Sequence, residues 1–119
     1  WAIAAGALLG VAAHFSNVLP DLDDDSTTGV RGLPHSIGAR ASGLVIAASL
    51  IAASLAIVFG SGNEIGVVPI IGFTLTVVLA ATTIVLVLRD TMKRMLFRLT
   101  IAAALINVTL LVFSASLLS

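Results

Sequence analysis

The chain has 119 residues, of which 59% are hydrophobic and 10% charged, with no cysteine; its mean hydropathy is +1.18. So much apolar surface excludes an ordinary water-soluble domain and points to a polytopic membrane protein. A formal net charge of zero gives no reason to expect a nucleic-acid partner, and the lack of cysteine removes disulfide frameworks and thiol chemistry.

About 20 apolar residues span a bilayer core, and four stretches qualify: residues 1–20, 38–59, 66–88 and 99–118, each to within a few positions. The expected fold is all-α, a transmembrane helix bundle with four transmembrane helices. The chain opens at Trp1 within one apolar run and closes at Ser119 within another. The opening has no basic flank of the signal-peptide kind. The expectation is a fragment of a longer protein. In the first stretch, Gly6 and Gly10 form a small-residue row of the kind that lets helix backbones approach closely. Trp1 suits an interfacial anchor, and Pro20 is expected to kink the helix end.

That first stretch runs into the polar segment HFSNVLPDLDDDSTTGVRGLPHSIGAR. Asn17, Asp21 and Asp25 stand four residues apart there, with His14 one turn before them. At roughly 100° per residue these four side chains fall within about one quadrant of a helix. Asp24 lies at the edge of that face and Asp23 points away. Carboxylates near a bilayer are costly, so a cluster at a helix end reads as a site. Asp21 and Asp25 suit a hard cation such as Mg²⁺, which takes one or two carboxylates plus water and substrate phosphate oxygens. Asn17 adds an amide oxygen, and Arg31 and Arg40 follow in the same segment. A guanidinium beside Mg²⁺ is what a diphosphate requires. The alternating Asp21, Asp23 and Asp25 do not make a calcium loop, because Ser26 stands at the required glycine and Gly32 at the bidentate glutamate. The bland alternative is a solvated acidic helix cap, with His14 a hydrogen-bonded core histidine and His35 a loop residue.

Further on, Ala39, Gly43 and Ala47 form a second small-residue row, the GSGNE segment makes a tight turn between the second and third stretches, and Pro69 is expected to kink the third. Asn107 in the last stretch suits an interhelical hydrogen bond. All six Lys and Arg residues fall in or at the edge of the first and third connections, as Arg31 and Arg40, then Arg89, Lys93, Arg94 and Arg98. The positive-inside rule makes those connections cytoplasmic, including the site loop at residues 21–37. The basic cluster of the third connection suits topology or lipid headgroups.

The run N-x-x-x-D-x-x-x-D followed by DDSTTGVRGLPHSIGAR resembles the second aspartate-rich motif of the UbiA superfamily of intramembrane prenyltransferases. Asn17, Asp21, Asp24, Asp25, Gly29, Arg31, Leu33, Pro34 and Gly38 carry the likeness, with Arg31 where many members have lysine. The resemblance implies a nine-helix fold in two similar halves, residues 1–119 being the C-terminal part and the N-terminal half with the first aspartate-rich motif lying elsewhere. It implies Mg²⁺-dependent transfer of an isoprenoid from a prenyl diphosphate to a small acceptor, aromatic or of a lipid pathway, in a bacterial cell membrane. Asp21, Asp25 and Arg31 would be catalytic, Asp21 and Asp25 would hold the metal, and His14, Asn17, Asp24 and Arg31 would bind substrate. Two other readings compete: a non-catalytic membrane subunit that binds lipid or a partner, and a cation transporter. Apart from Arg40 at the start of the second, the middle two spans carry no ionisable residue, which counts against transport.

Overall fold

In lipid the backbone has no partner but itself, so a long apolar run must satisfy its own N–H and C=O groups by coiling into a helix. The computed structural model of the chain describes residues 1–22, 29, 32–89 and 93–117, and these are all-helical apart from short connections. Four helices are long and apolar enough to cross a membrane. They are α1 (Ala2–Val18, prolonged by the 3-10 turn Leu19–Asp21), α2 (Leu33–Gly60), α3 (Val67–Leu88) and α4 (Lys93–Ser116). The four-span expectation holds.

Two helix starts differ from those expected. α2 begins at Leu33 instead of near 38, because Pro34 pre-sets the first turn and the Gly32 N–H donates to Nδ1 of His35 at 3.2 Å. His35 is thus part of the helix start, not of a loop. The expected boundary survives as a break: Gly38 has φ 81 and ψ 171, a conformation open essentially to glycine alone. The Ser42 hydroxyl reaches back across that break to the Pro34 carbonyl at 3.4 Å. α4 begins at Lys93 instead of near 99. Lys, Arg, Met and Leu all favour the helix, so the basic stretch is its first turn and a half rather than a loop. Pro69 produces no kink. It is the third residue of α3, in the first turn, where the amide it lacks has no intrahelical partner.

α2 is the hub, packing against α1, α3 and α4. The larger apolar cluster joins Leu9, Ala12, Phe15 and Leu19 of the first helical segment to Ile46, Leu50 and Ala53 of α2, Val87 of α3, and Leu96 and Ala103 of α4. A smaller one joins Ala5, Ile57 and Leu110. Small residues set the closest approaches. A Cβ on Gly43 would lie 2.7 Å from Cγ1 and 2.9 Å from Cβ of Val87, and one on Gly72 would lie 2.8 Å from Cγ of Leu110. Lipid tails are as apolar as leucine, so this packing gains through dispersion and fit and little through water release. The outward faces carry exposed Ile70, Leu75, Val78, Val85, Leu105 and Val112, a surface suited to hydrocarbon. Each described threonine, from Thr74 to Thr109, donates its hydroxyl to the carbonyl four residues earlier at 2.8–2.9 Å. Such back-bonding hides a polar group where no water is present.

Candidate functional site

α1 buries Ala5, Leu9, Ala12, Phe15 and Ser16 against the bundle. His14, Asn17 and Asp21 all fall on the opposite, exposed side. His14 is therefore not a core histidine. Its ring meets the neighbouring Phe15 edge-on, with centroids 6.0 Å apart and planes at 85°. Among the described residues, none of these three side chains makes a hydrogen bond or ion pair with another. The α-helix gives way at Leu19 to a 3-10 turn carrying Pro20 and Asp21, so the chain tightens where the ladder meets the polar segment.

The same exposed face carries Gly6 and Gly10. A Cβ on either would meet nothing within 4 Å. The expectation that this row serves helix packing fails within these four helices, because the row points away from α2 and α4. A stripe of small residues leading to a polar ladder is thus turned outward, along about four turns of helix. The cluster of Leu22, Val87 and Leu96 puts the Asp21 end of α1 beside the end of α3 and the start of α4. Exposed Arg89, Arg94 and Arg98 lie at that end of the bundle.

Asp23, Asp24, Asp25 and Arg31 lie outside the described residues. The expected metal pair Asp21–Asp25 and the guanidinium of Arg31 therefore have no described geometry. Among the described residues no three His, Asp or Glu side chains converge on one point. Asp21 itself presents an open carboxylate at a helix end.

The interhelical hydrogen bond expected of Asn107 is present; its partner is what the sequence did not give. The buried Asn107 amide donates to Oγ1 of Thr76 and to the carbonyl of Ala103, both at 2.9 Å. The helical spacing of Thr76 and Asn107 on α3 and α4 was readable, but their pairing depends on how the two helices are set against each other. At the far end, the Asn63 amide donates to the Ser114 carbonyl at 2.9 Å and ties the α2–α3 turn to the end of α4. No protein-family model, curated protein or solved structure matches this chain.

Proposed function

We propose that the chain is the C-terminal half of a UbiA-like intramembrane prenyltransferase, a nine-helix enzyme of a bacterial cell membrane. It would transfer an isoprenoid group from a prenyl diphosphate to a small acceptor. The observation that carries the reading is the placement of His14, Asn17 and Asp21 on the one face of α1 that the bundle leaves uncovered. Ionisable groups within a membrane helix rarely face hydrocarbon. They line a cavity or meet other protein, so this face borders a chamber completed by further helices. The motif in residues 17–38 supports diphosphate as its content.

In this reading Asp21 and Asp25 would hold Mg²⁺, and Asn17 and Asp24 would orient the diphosphate. The metal would supply charge stabilisation to the departing diphosphate. Arg31 would supply a forked pair of N–H donors to the developing negative charge on the phosphate. His14, one turn deeper, contacts substrate where the headgroup gives way to the isoprenoid. The apolar helices keep water from the allylic carbon until the acceptor attacks. The positive-inside arrangement of Arg40, Arg89, Arg94 and Arg98 favours a cytoplasmic site loop.

One observation favours a second reading, that of a non-catalytic subunit docking on a partner helix: Gly6 and Gly10 lie open on the same face. Assay of the whole protein with prenyl diphosphate and Mg²⁺ separates the two. The enzyme reading predicts that Asp21→Ala and Asp25→Ala nearly abolish diphosphate release, while Asp23→Ala has a small effect. No diphosphate release by the parent protein, or release that none of the three substitutions changes, would remove these residues from catalysis and leave this face to docking.

A further inference from the structure

Two buried side-chain atoms among the described residues lack a hydrogen-bond partner: Oγ of Ser54 and Oδ1 of Asn107. Both residues are fully buried, at 0% exposure. In hydrocarbon such groups cost free energy comparable to a lost hydrogen bond, so two in one small bundle call for a partner.

The packing brings them to one level. Gly43 of α2 faces Val87 of α3. Ser54 lies eleven residues after Gly43 and Thr76 eleven residues before Val87. Eleven residues make about three turns, and the helices are antiparallel, so Ser54 arrives at Thr76. Thr76 is in turn bonded to Asn107. Ser54, Thr76 and Asn107 therefore form one polar layer across α2, α3 and α4. On α2 and α4 that layer falls between the two apolar clusters: Ala53 and Ala103 belong to one cluster, Ile57 and Leu110 to the other.

The unused capacities match. The Asn107 amide nitrogen faces two acceptors, the Ala103 carbonyl and a Thr76 hydroxyl whose own proton goes to the Gly72 carbonyl at 2.9 Å. The amide cannot be turned over without placing its oxygen against the Ala103 carbonyl, so Oδ1 is the free acceptor. Thr76 keeps one lone pair, and Ser54 offers a proton. Yet Ser54 and Asn107 do not bond each other.

We propose that a single water molecule occupies this layer, accepting from Ser54 Oγ–H and donating to Asn107 Oδ1 and Thr76 Oγ1. Three polar partners are the usual complement of a buried water. The water ties α2 to the α3–α4 pair and fixes their register at mid-bundle. The assignment is independent of the proposed reaction.

A structure of the protein at a resolution that shows ordered water tests the site directly. The expected result is density within hydrogen-bond reach of both Ser54 Oγ and Asn107 Oδ1. A direct Ser54–Asn107 bond, or a dry layer, overturns the proposal. Unfolding equilibria in mixed micelles give the second measurement. Ser54→Ala should lower the folding constant by roughly three- to tenfold in the parent, the range of a hydrogen bond between membrane helices. It should change that constant by less than about twofold in the Asn107→Leu background, the limit set by ordinary additivity. Equal effects in both backgrounds would mean that Ser54 bonds only within its own helix, and the water would be discarded.

Discussion

Glycine behaves in two opposite ways in this bundle, and replacing Gly43 and Gly6 in parallel separates them. Alanine gains about 0.5–1 kcal/mol over glycine inside a helix, whatever the site. At Gly6 nothing lies within 4 Å of the added methyl, so Gly6→Ala should show that gain undiminished. At Gly43 the methyl would lie 2.9 Å from the Val87 Cβ, an atom one bond from the backbone that no rotamer change can move. α2 and α3 must part by several tenths of an ångström, at a cost of about 1–3 kcal/mol for an overpacked contact. Because the helix-propensity gain is common to both, the difference between the variants isolates that cost. Trp1 is the sole tryptophan and packs against Gly60, so its fluorescence reports the unfolding of the bundle as denaturing detergent is added to mixed micelles. Val87→Ala should rescue Gly43→Ala in part, since it removes both γ-methyls but leaves the Cβ in place. If Gly43→Ala and Gly6→Ala prove equally stable, the close α2–α3 approach is wrong.

Three further outcomes are expected. Glu64, exposed in the α2–α3 turn, should react as Glu64→Cys with a membrane-impermeant thiol reagent from outside intact cells. Labelling only after the membrane is opened would reverse the orientation. Arg31→Ala should raise KM for the prenyl diphosphate and lower turnover, and Arg31→Lys should keep part of the activity because charge remains but the fork is lost; normal kinetics in Arg31→Ala would make it a topology determinant only. Pro69→Ala should change stability by less than about 1 kcal/mol, since a first-turn proline replaces no hydrogen bond, and a larger loss measured in the same micelle assay would mean that the proline shapes α3 after all.

The helices could be read from sequence because a bilayer makes the length of an apolar run decisive. Their ends could not, because capping and propensity set them. Pro34 and the His35 ring start α2 ahead of its apolar run, and the helix-favouring stretch from Lys93 to Arg98 starts α4 early. Small-residue rows told which faces can approach closely, not which do: Gly43 meets Val87, while Gly6 and Gly10 meet nothing in these four helices. The polar face of α1 was legible because four-residue spacing fixes direction on a single helix. The Ser54–Thr76–Asn107 layer was not, because it depends on the register between three helices. Asp24, Asp25 and Arg31 lie outside the described residues, so their part in the site rests on the motif.

If the outward polar face of α1 ends in a metal–diphosphate site, as proposed, the whole protein should bind a divalent ion together with the diphosphate. Mn²⁺ can stand in for Mg²⁺ at oxygen ligands, and its electron paramagnetic resonance signal distinguishes free from bound ion. Titration of the whole protein with Mn²⁺ in the presence of prenyl diphosphate should show one or more ions bound per protein, with binding lost in Asp21→Ala and retained in Asp23→Ala. Binding that is indifferent to Asp21, or absent with the diphosphate present, would contradict the account.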